Sequence, residues 1–318
     1  MTVERRERPK PFTDAWDARG TPRPPTTVAN PPGDIGLAGA ALTADEVAAA
    51  RGVERTGGIH LSPDGSEVAF AWDGGGALDI YSAPIFGDRI IQLTDLGARC
   101  LAPRWSPDGH WVAFARDDGG RRSLWVVDRD GEHAHEVKSG DALHGAVGLS
   151  AGIPRWGTDD ASPILRAAGI EFIAGSASWS PDRSTIAFTT HARGTTKIAF
   201  AHVRDGAAAR VEVLDATPFE DSDPVWRPDG RGVVYRRREH GNVTLHRVFT
   251  ISHADDAALD VPGWLFSPQV GPDSETIVAV LVDRQGADVV VRPKGGITAV
   301  RITRTRGAAG WSPPPRVQ

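Results

Sequence analysis

The chain has 318 residues, with 41 acidic and 36 basic side chains and a net charge of -5, a balance that offers no electrostatic footprint for nucleic acid or an anionic membrane. A single cysteine, Cys100, excludes an internal disulfide and any Cys-rich metal framework. The 36 glycines and 24 prolines, beside a hydrophobic content of 40%, suit many short strands separated by turns.

Residues 1–40 hold Pro9, Pro11, Pro22, Pro24, Pro25, Pro31 and Pro32 among charged and small residues, too polar to bury an apolar face. They are expected to form a disordered or extended Pro-rich arm. No apolar stretch follows the charged N-terminus and no run approaches transmembrane length, so the expectation is a cytoplasmic protein without a membrane partner. Next, Thr43 with Glu46 three residues on makes a capping box, which predicts a helix of one or two turns ending before Gly52.

From Ile59 onward the chain repeats itself. Leu61-Ser62-Pro63-Asp64-Gly65 is followed by Trp105-Ser106-Pro107-Asp108-Gly109, Trp179-Ser180-Pro181-Asp182-Arg183, Trp226-Arg227-Pro228-Asp229-Gly230, Val270-Gly271-Pro272-Asp273-Ser274 and Trp311-Ser312-Pro313-Pro314. The prolines are spaced by 44, 74, 47, 44 and 41 residues. In such a turn Pro fixes φ, Asp bonds the backbone two residues on and Gly accepts positive φ. Short β-branched and aromatic runs follow each turn, among them Val68-Ala69-Phe70-Ala71-Trp72, Val112-Ala113-Phe114-Ala115 and Ile186-Ala187-Phe188-Thr189. A third run (Asp79-Ile80-Tyr81-Ser82, Leu124-Trp125-Val126-Val127) and a fourth complete a unit of four strands. The 74-residue interval carries about 30 extra residues, 145–169, with scattered Gly and Pro, and is expected to be a long loop. The rival reading is a degenerate blade, because Pro154-Arg155-Trp156 repeats Pro103-Arg104-Trp105.

The repeats, with the blade-closing Gln92-Leu93-Thr94, resemble the WD40-like blades of TolB-type propellers and of the N-terminal propeller of prolyl-oligopeptidase and acylaminoacyl-peptidase serine peptidases, over about residues 55–313. The resemblance implies an all-β propeller of four-stranded blades, six-bladed or an incomplete seven, over residues 41–318, truncated in its last blade. In the peptidases the propeller filters substrates for a following hydrolase domain that carries the catalytic residues. The implied function here is a non-catalytic module that binds peptide or protein, with a hydrolase domain among the candidate partners. The alternative is a TolB-like interaction scaffold.

Three groups of side chains bear on chemistry. Gly148-Leu149-Ser150-Ala151-Gly152 matches the spacing of a nucleophile elbow, but no apolar strand enters it and Pro154 discourages a helix after it. Ser150 is therefore a disfavoured nucleophile. His133 and His135 alternate on one strand face without a third ligand and are expected to be solvated rather than a metal pair, so no metal and no cofactor are expected. Glu220, Asp221 and Asp223, together with Asp159 and Asp160, are candidates to line a channel mouth and attract a cationic group such as a peptide amino terminus. Trp105, Trp179, Trp226 and Trp311 are expected to pack blades rather than cage a ligand.

Overall fold

In the computed structural model, residues 26–28, 42–55, 57–73, 77–86, 90–137, 147–150, 152–157, 159–214, 217–296 and 298–303 are described. Strand β1 (Thr26–Val28) and helix α1 (Ala44–Ala49) come first. The first blade is β2 (Ile59–Leu61), β3 (Glu67–Trp72), β4 (Asp79–Pro84) and β5 (Ile91–Gln92), and the second is β6 (Arg99–Trp105), β7 (Trp111–Asp117), β8 (Arg122–Asp128) and β9 (His135–Glu136). A hairpin, β10 (Val147–Ser150) and β11 (Ile153–Trp156), and helix α2 (Ser162–Ala167) come next. The third blade is β12 (Ser178–Trp179), β13 (Thr185–Ala192), β14 (Thr195–Arg204) and β15 (Ala207–Leu214). The fourth is β16 (Glu220–Trp226), β17 (Gly232–Glu239), β18 (Asn242–Phe249) and β19 (Asp255–Leu259), and the fifth is β20 (Trp264–Val270), β21 (Ile277–Asp283), β22 (Gly286–Arg292) and β23 (Ala299–Arg301). Among the described residues no helix is long and apolar enough to cross a membrane.

The second strand of each blade opens on a run of buried residues, mostly apolar, because that part is covered on both faces, as strands are when layers stack on either side. The side-chain period of two divides it between neighbours. In β3, Val68, Phe70 and Trp72 pack against Val278, Val280 and Val282 of the fifth blade, while Ala69 and Ala71 pack against Trp105, Val112 and Phe114 of the second. In β17, Val233 and Tyr235 meet Phe200 of the third blade, and Val234 meets Leu265 and Ile277 of the fifth. Each blade is therefore the core of the next, and the fifth closes onto the first. Backbone bonds from Val53 N–H to the Ala287 carbonyl (3.0 Å) and from Ala287 N–H to the Arg51 carbonyl (2.9 Å) reinforce that closure.

The long loop expected at 145–169 is instead a hairpin and a helix. Ile153 of β11 packs on Leu101, Ala102 and Ala115 of the second blade, and Ala161 and Leu165 of α2 cover Ile186, Phe188, Ala199 and Ala201 of the third. This unit occupies the gap between two blades with half the usual number of strands. Its equivalence to a blade is visible in one bond: Trp156 Nε1 donates to the Arg104 carbonyl (3.1 Å), as Trp226 Nε1 does to the Ser178 carbonyl (3.0 Å). The described residues hold three four-stranded sheets, this two-stranded unit, and a nine-stranded sheet in which the fourth and fifth blades are joined by one parallel bridge between Val243 and Trp264.

Within the N-terminal arm, Thr26–Val28 pairs antiparallel with Ala299–Arg301 as an added outer strand of the fifth blade; the rest of residues 1–40 lies outside the described residues, as does Trp311. The predicted capping box is present, with Glu46 N–H donating to Thr43 Oγ1 (3.2 Å) and Thr43 N–H to Glu46 Oε2 (2.8 Å). Trp105 and Trp226 are buried between blades, as expected of packing residues.

All five turns use their Asp alike. Asp64, Asp108, Asp182, Asp229 and Asp273 each accept the backbone N–H two residues on, at 2.9–3.1 Å. In the first three, the serine two residues earlier also donates its hydroxyl to the same carboxylate. The Ser62 hydroxyl, then the Ser66 N–H and hydroxyl, hold Asp64 at about 2, and Asp108 and Asp182 are lowered for the same cause. Because the folded value lies below the ordinary unfolded one near ~3.9, the contribution is complete above that pH and disappears as pH falls through about 2. A carboxyl titration by NMR should find Asp64 near 2 in the native chain and higher in Ser62→Ala, short of the ordinary range because the two Ser66 bonds remain. An ordinary midpoint in the native chain would refute the turn network.

Candidate functional site

The first strands surround the centre of the ring, since β2 meets β6, β6 meets β11, β12 meets β16, β16 meets β20 and β20 meets β2. Each is the inner edge of its sheet, so its outward backbone groups need partners from side chains. Trp156 and Trp226 supply two of them. Trp105 N–H donates to His60 Nδ1 (3.1 Å), Arg104 Nη1 donates to the Gly57 carbonyl (3.0 Å), and Ser267 Oγ links the Gly57 N–H (2.9 Å) to the Arg55 carbonyl (2.6 Å).

Three of these strands bulge at the same place, and the bulge residues Ala102, Asp223 and Ser267 all have positive φ (52, 54 and 47°) before a proline. A bulge bends its strand and re-aims the side chains beside it. One position is then shared by every unit, the residue before the repeat tryptophan or its counterpart: His60, Arg104, Arg155, Ser178, Val225 and Gln269. All six are half-buried, between neighbours that are mostly buried. They form a ring without a carboxylate.

The charge on this ring is concentrated on adjacent units. Burial pushes Arg104 down to about 9, with the like charge of Arg155 adding to it. Burial also lowers Arg155, against the pull of Asp160 and Asp159. Burial, then Arg104 and Arg155, hold His60 far below its ordinary value, so it is neutral. With Nδ1 accepting from Trp105, its proton sits on Nε2. Arg104 uses Nη1 for the Gly57 and Pro103 carbonyls, and Arg155 uses Nη2 for the Gly175 carbonyl (3.3 Å), leaving Nε of Arg155 buried without a partner. Among the described residues no carboxylate forms an ion pair with either guanidinium. Chemically the ring offers hydrogen-bond donors and positive charge.

The acidic candidates have other duties. Glu220, Asp221 and Ser222 lie opposite Arg238, Arg237 and Arg236 across the β16–β17 ladder. Glu220 pairs with Arg238 at 3.5 Å, Asp221 with Arg237 at 2.8 Å and Asp223 with Arg236 at 2.6 Å. Asp159 pairs with Arg183 at 2.7 Å, and Asp160 accepts the Ser162 N–H at 2.9 Å at the start of α2. In the structure these acids are matched by arginines or by backbone.

Ser150 ends β10 in a hairpin, not at a strand-to-helix corner, and its hydroxyl is directed to Asp160. His144, its upstream neighbour, lies outside the described residues. His133 Nδ1 meets Asp128 Oδ2 at 2.7 Å and His135 Nδ1 meets the His133 carbonyl at 2.6 Å, so the two imidazoles do not converge. A second concavity of about 490 Å³ lies between the third and fourth blades on the side of the Ser-Pro-Asp turns, with His202, Glu212 and His253 in its wall.

No protein-family model matches the sequence, and no curated protein matches it. Solved structures do. The chain is similar to the AtxE2 isopeptidase in its apo form, at 14% identity and a TM-score of 0.50 over 80% of this chain and 52% of the other. It is similar to the propeller domain of the trilobed protease of Pyrococcus furiosus (12% identity, TM-score 0.40, 80% and 83% covered) and to a putative TolB of Agrobacterium tumefaciens (15%, 0.39, 78% and 80%). The chain spans about half the length of the isopeptidase. The fold is a β-propeller.

Proposed function

We propose that this chain is a non-catalytic propeller that binds a peptide or protein segment at its central channel, as a gating module for a hydrolase or as an interaction scaffold. The observation that carries the reading is the set of half-buried side chains at one position of the inner strands, which holds two arginines and no carboxylate, while the acids of β16 are matched by arginines. Ser150, turned to Asp160 on a hairpin strand, supports binding rather than acyl transfer.

Two measurements test it. A fluorophosphonate probe should leave the purified chain unlabelled; labelling that vanishes in Ser150→Ala would make the chain a serine hydrolase. A pool of random octapeptides should be retained by the native chain and lost on Val225→Trp, which fills the channel from β16. Retention unchanged by that substitution places binding elsewhere and sinks the channel reading.

A further inference from the structure

The channel ring carries a charge pattern that none of its structural neighbours' names predicts. Its two guanidiniums sit on adjacent units, Arg104 on β6 and Arg155 on β11, and both are lowered by burial without a paired carboxylate. They are held near one another across a narrow space. A Cβ placed on Gly57 would lie 3.3 Å from Arg104 Nη2 and 3.8 Å from Ile153 Cδ1, and one placed on Gly175 would lie 3.3 Å from the same Ile153 atom. Segments of the first blade, the hairpin and the third blade therefore converge here, and His60 completes the group with its Nε2–H. Every carboxylate on the first strands belongs to β16, and each of those is matched by Arg236, Arg237 or Arg238.

A pair of buried like charges with an orphaned donor, Arg155 Nε, is costly unless something neutralises it. Among the described residues no carboxylate pairs with either guanidinium, so a bound anion would complete the site. We infer that His60, Arg104 and Arg155 form an oxyanion site in the channel wall, and that it takes the C-terminal carboxylate of an extended peptide. The planar guanidinium fork matches a carboxylate in two hydrogen bonds. A monoanion fits better than a dianion, because Asp159 and Asp160 already offset part of the charge near Arg155 and the whole chain is negative. The peptide part of this inference rests on the binding function proposed above, whereas the oxyanion part stands on the residues alone.

The experiment compares random octapeptides as free acids and as C-terminal amides, on the native chain and on R104Q/R155Q, with thermal melting in inorganic phosphate against sodium chloride of equal ionic strength as a second readout. Losing charge-assisted hydrogen bonds from two arginines costs about tenfold or more in affinity. The expected result is that acids bind at least about tenfold more tightly than amides to the native chain, and that the double variant, still folded by its melt, shows no preference. Acids and amides binding alike to the native chain overturns the oxyanion site while leaving peptide binding intact. No peptide binding, with phosphate raising the melting temperature of the native chain alone, upholds the oxyanion site and removes its peptide. A phosphate effect equal in both proteins, with no peptide bound, overturns the inference entirely.

Discussion

Asp221→Ala should cost about 2–3 kcal/mol of stability, because it removes the bidentate acceptor of a buried arginine. Arg237 and Asp221 are 7% and 5% exposed at their side chains, and the pair is bidentate, with Nε to Oδ1 at 2.8 Å and Nη2 to Oδ2 at 3.2 Å. Burial works against the Arg237 charge, but the bonds to Asp221 and the neighbouring Tyr235 and Asp255 outweigh it and raise its pKa. With Asp221 gone, Asp255 still holds Nη1 at 2.6 Å and the Tyr235 hydroxyl still accepts from Nη2 at 2.6 Å, but Nε loses its acceptor away from water. Denaturant midpoints should therefore fall steeply in Asp221→Ala and less in Asp221→Asn, which keeps an oxygen in place. The double variant D221L/R237M should recover much of the loss, since removing both charges also removes their desolvation cost. A drop below about 1 kcal/mol for Asp221→Ala would mean that water reaches the pair.

The same pairing accounts for the charge of the acidic cluster. Its partners lie in plain view as Arg236-Arg237-Arg238, and the hairpin through Pro228-Asp229-Gly230 places the two runs opposite one another. Reading each run by itself gives an acidic mouth; folding the hairpin on paper gives a neutral ladder. Charges that face one another across a strand pair are spent on the sheet.

The propeller itself was legible because each level agreed. The turn repeats, and its Asp bonds the second N–H on in all five cases, even where Arg183 (φ 57°) and Ser274 (φ 60°) replace the glycine. The hairpin and helix were harder to see because their signals sit close together. Pro163 falls in the first turn of α2, where proline is tolerated, and Gly169 follows the helix with φ +66°, so residues that argued for a loop are the helix's start and stop. The channel ring was missed for a different reason. It becomes visible once the repeats are aligned on tryptophan and the residue before it is read down the column, where His60, Arg104 and Arg155 stand apart from Ser178, Val225 and Gln269. The convergence of Gly57, Ile153 and Gly175 has no signal in the sequence, since it depends on how the ring closes.

The hairpin and helix also decide how the ring holds together, which gives the second large effect. Leu165 is fully buried on α2 among Ala161, Ala177, Ile186, Phe188, Ala199 and Ala201, covering the face of the third blade that a complete preceding blade would cover. Four of its six buried neighbours are alanines, with little side chain to move into a void, so Leu165→Ala should leave a cavity and cost about 2–5 kcal/mol, whereas Leu165→Met should cost less than about 1.5 kcal/mol. The loss should appear in the denaturant midpoint, and amide exchange in β13 should quicken along with it, because Ile186 and Phe188 lose their cover. An effect below about 1 kcal/mol with β13 unchanged would make α2 a surface appendage and the ring open at that point. If the helix is instead the missing blade's substitute, the cavity also loosens β11 through the bond from Arg155 to the Gly175 carbonyl. Leu165→Ala should then weaken the preference for free carboxyl termini, and Leu165→Met should preserve it.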